Sequence, residues 1–205
     1  MKFLGVILDE HLSWKEHINL VESKISKNIG IMYKAKYLNI NCLKNIYYSF
    51  IHSYINYCNI AWASTYCSKL IKIYNHQKHA IRLIMNANRY DKSQPLMKQL
   101  GVLNIYQINI QQVLILMFKL KYEMGPKVFQ NKFSTVHHKY PTRHALNCNY
   151  LIPKTTLRMT DFSINCRGPK LWNKFLTREM KVLTSLPKFK YLCKQKLLNT
   201  ENVDK

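Results

Sequence analysis

The chain has 205 residues, of which 47% are hydrophobic, so it can bury a core and is not a disordered tail. Lysine and arginine number 32 against 10 aspartates and glutamates, which gives a formal net charge of +22. Solubility alone needs a far smaller imbalance, so the charge favours a polyanionic partner, nucleic acid first and an anionic membrane second.

The first half of the chain predicts a short strand followed by helices. Residues 2–9 are apolar and partly β-branched, and they predict a single strand without a partner, the remnant of a larger sheet. Ser13 and Glu16 form a capping-box pattern, which predicts a helix start. An apolar stripe at helical spacing follows, with Lys27 and Lys34 roughly opposite it. Its members are Ile18, Val21, Ile25, Ile29 and Met32.

Further helices are predicted over about residues 41–62 and 68–86. A short helix from about Pro95 ends at Gly101, and a long one runs from about Asn104 to Gly125. After Pro126 the chain is punctuated by prolines, which predicts irregular chain with short extended pieces over residues 131–170. A last helix is predicted from about Ser185. The expected fold class is therefore mainly α, a helical bundle between a remnant strand (1–12) and an irregular segment with a terminal helix (126–205), the bundle itself spanning 13–125.

Catalytic and metal-binding patterns are scarce. Between Ser23 and Asn199 only four acidic residues occur, which leaves few carboxylates for a metal. His138, His144 and Cys148 cluster, but no second pair of ligands accompanies them, so no zinc site is predicted. The six cysteines form no CxxC pair and are predicted to be reduced and mostly buried. We therefore predict no catalytic residue and no metal ligand.

The basic surface carries the functional signal. Aromatic residues within 41–62 are more typical of a core than of base stacking. Lysines on a helix can contact phosphates or can simply be solvated, and both interpretations stay open at this point. No apolar run reaches roughly 18 residues and no secretory signal is present, so we expect no membrane association and a nuclear or cytoplasmic, not secreted, protein. The candidate nucleic-acid-binding residues are Lys24, Lys27, Lys34, Lys72, Arg82 and Arg89.

Several segments, in order, resemble the reverse transcriptases of LINE-type (non-LTR), jockey-like retrotransposons. Residues 2–18, KFLGVILDEHLSWKEHI, resemble the YLGV…LxWxxHI segment that closes the palm at the primer grip and enters the thumb, and residues 24–31 resemble the first thumb helix. The further matches are 47–62 with LYxSLIxPxLxYCxxVW, 70–84 with LxxLQKxAIRxI, 140–143 with YxTR, 162–173 with SIxYxGPKLWN and 185–190 with SLxxFK.

The resemblance implies the primer-grip end and thumb of an RNA-directed DNA polymerase, whose partners are a primer–template duplex and the palm domain. The family's catalytic aspartates hold Mg²⁺ in a [FY]ADD motif upstream of the YLGV segment, and this chain has no Asp-Asp pair. It implies no small-molecule substrate and no cofactor within these residues. The motif residues expected to be structural are Leu4, Gly5, Trp14, Tyr57, Trp62, Gln77, Arg143, Gly168, Pro169 and Trp172.

The sequence is compatible with three functional hypotheses. The first is a binding fragment that grips duplex beside a palm it lacks and is not an enzyme by itself. The second is part of an active polymerase whose palm is encoded upstream. The third is a domesticated interaction module without enzymatic activity.

Overall fold

The computed structural model describes residues 1–129, 132–134 and 147–200, and over these residues the fold is mainly helical, as predicted. The chain divides into two compact units. The first comprises Met1–Asn109 and the chain from Leu198, and the second comprises Ile110–Leu197. The predicted boundary at residue 125 stays a prediction.

The N-terminal segment is a hairpin and not an unpaired strand. Strand β1 (Lys2–Phe3) pairs antiparallel with β2 (Val6–Ile7), and Lys2 lies opposite Ile7. The turn residues Leu4 and Gly5 have φ of 46° and 83°, the two positive angles that a tight two-residue hairpin turn requires. The expectation of a strand without a partner is wrong, because the chain turns back within two residues and pairs with itself.

Helix α1 (Lys15–Lys34) buries the predicted apolar stripe, but it begins differently from the prediction. Ser13 does not cap it; Trp14 occupies the N-cap position in the left-handed region, with φ 63°. The Asp9 carboxylate accepts hydrogen bonds from the backbone N–H groups of Ser13 (2.8 Å) and Trp14 (3.0 Å). The Ser13 bonds above all lower the pKa of Asp9 to about 2. The expected capping box is therefore wrong.

The segment expected to be one helix over residues 41–62 is interrupted. It comprises α2 (Ile40–Tyr47), a π-helical turn (Tyr48–His52), α3 (Ser53–Asn56) and α4 (Asn59–Trp62). The break lies at Tyr57 and Cys58, where Cys58 has φ 48°. Side chains satisfy carbonyls beside the break, since Asn59 Nδ2 donates to Ile55 O (2.8 Å) and Trp62 Nε1 donates to Tyr57 O (2.8 Å).

The next helices follow the predicted pattern. Helix α5 (Cys67–Ile84) packs against α1, and α6 (Ser93–Leu100) ends at Gly101, whose φ is 65°. Helix α7 (Ile105–Lys121) contains the apolar run 113–118, in which all but one residue is buried.

The chain after Pro126 contains more helix than expected. Short 3₁₀ turns span Lys127–Phe129 and Arg158–Phe162, and the helices are α8 (Ile164–Phe175), α9 (Arg178–Val182) and α10 (Leu186–Asn199). The last of these confirms the helix predicted from Ser185. The prediction of irregular chain through Gly168 and Pro169 is wrong, because α8 continues through both.

Packing explains why α8 tolerates its proline. Gly168 lies so close to α7 that an added Cβ would be 2.5 Å from Met117 Sδ. Trp172 is only 1% exposed, and its ring lies 5.5 Å from the ring of Tyr150 and 6.0 Å from that of Phe189. Burying this face stabilises the helix and so helps to offset the hydrogen bond that Pro169 cannot donate. The structural role expected of Trp172 is consistent with this burial.

The structure also bears on the predictions for the cysteines and for membrane-spanning segments. Cys166 and Cys193 are buried, but Cys42, Cys58 and Cys67 are exposed, so the prediction of mostly buried cysteines is wrong; all six are free thiols. Within the described residues no single helix is long and apolar enough to cross a membrane, although α6 and α7, which meet at a 44° bend, pass that test as a pair by length and composition.

Candidate nucleic-acid interface

Three of the predicted cations share one face of α1. Leu20, Lys24, Lys27, Ile31 and Lys34 are spaced alternately four and three residues apart, which aligns them along a single stripe of the helix. All three lysines are exposed, and Lys27 and Lys34 lie opposite the buried apolar stripe. We call Lys24, Lys27 and Lys34 the lysine stripe. The buried side of the same helix holds it in place.

Lys24 differs from the other two because it lies at the edge of this face. Its Nζ lies 5.0 Å from the centroid of the Tyr54 ring, in cation–π geometry. In the part of the chain that the structure describes, neither Lys27 nor Lys34 forms an ion pair with an acidic side chain. Their charges are therefore available to an external anion.

Lys72 lies on α5 and does not join the lysine stripe. Its Nζ is 3.7 Å from Glu22 Oε2, and His76 Nε2 is 3.7 Å from the other oxygen of the same carboxylate. Glu22 is about 160° around α1 from Lys24 at 3.6 residues per turn. Lys72 therefore lies on the opposite flank of α1, beside a carboxylate that offsets its charge.

Arg82 is used inside the protein. Its Nε and Nη2 donate to the carbonyl oxygen of Asp91, at 3.0 and 2.9 Å. The Asp91 carboxylate in turn accepts from the backbone N–H of Asn88 at 2.8 Å. These bonds close the loop after α5, on which Arg89 is exposed. The structure therefore brings Lys24, Lys27 and Lys34 together and leaves Lys72, Arg82 and Arg89 apart from them.

The first group of family-motif residues fastens the hairpin to the helices. Tyr57 Oη donates to the carbonyl oxygen of Leu4 at 2.5 Å, and Gly5 forms the turn beside it. Trp62 is fully buried and meets the ring of His17 edge to face, with centroids 5.5 Å apart. These contacts hold the hairpin turn against the end of α3 and bury Trp62 beside α1.

Gln77 has a structural role for a different reason. It is fully buried on α5, and its Nε2 donates to Tyr47 Oη (2.7 Å) and to Leu103 O (2.9 Å), while its Oε1 accepts from Ile105 N (3.0 Å). Burial raises the pKa of Tyr47 above the ordinary tyrosine range, so the phenol stays protonated. One amide thus connects three segments. Arg143 lies outside the described residues.

Sequence reasoning missed a cavity beside the hairpin. It has a volume of about 470 Å³ and lies between the turn of the hairpin, α1 and α3. The aromatic residues of this region were expected to be core, yet Tyr57 is 51% exposed and Tyr54 is half-buried. In the sequence, the only signal for a surface position of Tyr54 and Tyr57 is their location in a segment predicted to lie in the same helical bundle as the lysine-rich helix α1. The residues that line this cavity include Gly5, His17, Leu20, Lys24, Tyr54 and Tyr57.

The donor set for a divalent metal is poor. Among the described residues no three His, Cys, Asp or Glu side chains lie close enough to hold an ion, and His138 and His144 lie outside those residues.

No family model matches the chain, and neither the curated proteins nor the solved structures yield a match.

Proposed function

We propose that this chain is the thumb-side, nucleic-acid-binding region of a LINE-type retrotransposon RNA-directed DNA polymerase. The observation that supports it best is the lysine stripe. Three exposed cations project from one face of a helix whose other face is buried, so they are held on a rigid support. Their spacing covers about 15 Å of the helix axis at 1.5 Å per residue.

The partner in this proposal is a primer–template duplex, bound through its phosphates. A lysine ammonium is a point charge on a flexible stem, which suits phosphate neutralisation more than base recognition. Contacts of this kind position a duplex without selecting a sequence. Such binding suits a polymerase region that must hold any sequence.

Catalysis is proposed to lie outside these residues. In-line phosphoryl transfer by two metal ions needs paired carboxylates, and the sequence has no Asp-Asp pair. We expect the purified chain to give no primer extension on a poly-A template with an oligo-dT primer. Extension above background that EDTA abolishes would contradict this part of the proposal.

Salt dependence tests the binding part of the proposal. Fluorescence anisotropy would measure the association of the full chain with two unrelated duplexes at several salt concentrations. If the three stripe lysines each neutralise one phosphate, log K against log salt should have a slope of about −3 or steeper. Both duplexes should give the same slope. A flat salt dependence, or tight binding to only one of the sequences, would overturn the proposal.

A further inference from the structure

The cavity beside the hairpin has the size of a small-ligand site. Its volume of about 470 Å³ falls within the roughly 300–1,000 Å³ that such sites occupy. The hairpin turn at Gly5, the side of α1 at Leu20 and the end of α3 form its walls. Elements distant in sequence thus border one cavity, which is open to the surface.

The walls combine aromatic rings with aliphatic surface. Tyr54 and Tyr57 line the cavity from α3 and the residue after it, and Leu20 lines it from α1. The Tyr57 hydroxyl is already bound to the carbonyl oxygen of Leu4, so this ring is fixed in position. A flat aromatic ligand can stack on such rings whatever its substituents, because every nucleobase has a π-face.

His17 also lines the cavity, as a buried ring whose tautomer is set by the hairpin. Its Nδ1 accepts from the backbone N–H of Ile7 at 3.3 Å, so the proton of the neutral ring is on Nε2. His17 is only 3% exposed, and its Nε2 is buried without a hydrogen-bond partner. Burial, and then the charge of Lys24, lower the pKa of His17, which keeps the ring neutral.

Lys24 connects the cavity to the surface already described. It lines the cavity together with Leu20, and it is also the first member of the lysine stripe. A strand whose phosphates follow Lys24, Lys27 and Lys34 would therefore pass the mouth of the cavity.

We infer that this cavity receives one unpaired nucleobase, stacked against Tyr54 and Tyr57, while the Lys24 ammonium moves from the Tyr54 ring to the phosphate next to the base. The inference rests on the proposed function, because it assigns an unpaired base to the strand that the lysine stripe binds. It is a separate claim, since phosphate binding along α1 does not require the cavity.

Three versions of one end-labelled duplex test the inference on the full chain. The first is fully paired, the second carries a single extrahelical 2-aminopurine, and the third carries an abasic residue at the same place. The abasic duplex keeps the distortion of a bulge but has no base to insert. Anisotropy measures affinity for all three, and 2-aminopurine fluorescence reports whether the base becomes stacked.

We expect the duplex with the extrahelical base to bind about tenfold more tightly than the abasic one, since one stacked base contributes an effect of that order. The 2-aminopurine fluorescence should change on binding. Equal affinity for these two duplexes, with the paired duplex still bound, would overturn the inference and leave the proposed function standing. Failure to bind even the paired duplex would overturn both.

Two variants of Tyr54 assign the effect to the cavity. Tyr54→Phe keeps the ring and should keep the tenfold ratio between the base and abasic duplexes. Tyr54→Leu removes this ring and should reduce that ratio to about three, because the Tyr57 ring remains. A ratio that Tyr54→Leu leaves unchanged would contradict the inference. Because the wild-type comparison of the base and abasic duplexes needs no variant, the test stands even if a substitution impairs folding.

Discussion

The outer faces of α1 and α5 are both basic, yet their cations have different surroundings. On α1, Lys27 and Lys34 point away from the core and make no ion pair with the described acidic residues. On α5, Lys72 shares Glu22 with His76, and Arg82 donates both of its hydrogen bonds to the carbonyl oxygen of Asp91. The same residue types thus form a candidate ligand surface on one helix and internal contacts on the other.

The difference shows why net charge does not locate an interface. A charge of +22 indicates a polyanionic partner for the whole chain, but a cation with an internal partner gives up part of its attraction for phosphate. The two helices differ because the α5 cations have partners within the protein. Lys72 pairs with the Glu22 carboxylate, and Arg82 binds the carbonyl oxygen of Asp91. We therefore expect substitutions on α5 to affect mainly stability, and substitutions on the exposed face of α1 to affect mainly binding.

The largest expected effect is on stability, at the inner face of α5. Gln77→Ala removes two donated hydrogen bonds and one accepted one, and it leaves Tyr47 Oη, Leu103 O and Ile105 N buried without this partner. We expect the free energy of unfolding to fall by about 3 kcal/mol, measured by denaturant titration. Gln99→Ala, at an exposed position of α6, is the control and should change it by no more than about 0.5 kcal/mol. Equal effects of the two substitutions would show that the Gln77 network contributes nothing.

The second effect is on binding, at the exposed face of α1. Replacing Lys27 and Lys34 together by alanine should reduce the magnitude of the salt slope on duplex by about 2, equally for unrelated sequences. Replacing Lys188 and Lys190, two exposed lysines of α10, is the matched control for charge. If both pairs weaken binding by the same amount, the chain attracts polyanions diffusely and the lysine stripe is a solvated face.

A smaller effect is expected for Arg82→Ala. The substitution removes two charge-assisted hydrogen bonds that close the loop after α5, at a partly exposed site where water can replace them. We expect a loss of about 1 kcal/mol in the free energy of unfolding and an unchanged salt slope. Arg89→Ala, on the same loop but exposed, should leave stability nearly unchanged. If Arg82→Ala, but not Arg89→Ala, reduces the magnitude of the salt slope on duplex, then Arg82 contacts the nucleic acid.

The smallest effect is expected for Lys72→Ala. Its ion pair with Glu22 spans 3.7 Å and the lysine side chain is 68% exposed, so the pair contributes little. We expect a loss of no more than about 0.5 kcal/mol, decreasing further at high salt. The salt slope on duplex should change less than it does for a single substitution of Lys27. A change in the salt slope larger than that for Lys27 would show that nucleic acid contacts both flanks of α1.

Periodic features were predictable because their causes are local. The buried stripe of α1 follows from apolar residues at helical spacing, and the end of α6 follows from Gly101, which adopts a left-handed conformation at little cost. The predicted start of α1 failed because Asp9, four residues before Ser13, supplies the carboxylate that satisfies the backbone there. The pattern Ser13-x-x-Glu16 thus predicted where α1 begins, but it assigned the hydrogen bonds there to the Ser13 side chain and not to the Asp9 carboxylate.

Non-local packing decided the other departures. Nothing in the local pattern of residues 164–170 indicates that α8 continues through Pro169; the contact of Gly168 with Met117, 51 positions earlier, and the burial of Trp172 stabilise it. The break at Tyr57 and Cys58 likewise accompanies the bond from Tyr57 to Leu4, 53 positions earlier in the chain.

The excess of positive charge, the scarcity of carboxylates and the apolar faces of the long helices are evident from the residues alone, because they depend on composition and on spacing within a few residues. Which cations have a partner within the fold, and which residues border the cavity beside the hairpin, depended instead on tertiary contacts. Glu22 and Lys72 are 50 positions apart, and the cavity joins Gly5, Lys24 and Tyr57. Such contacts arise when α1 and α5 pack and the hairpin lies against α3, so the partner of each charge depends on residues far along the chain.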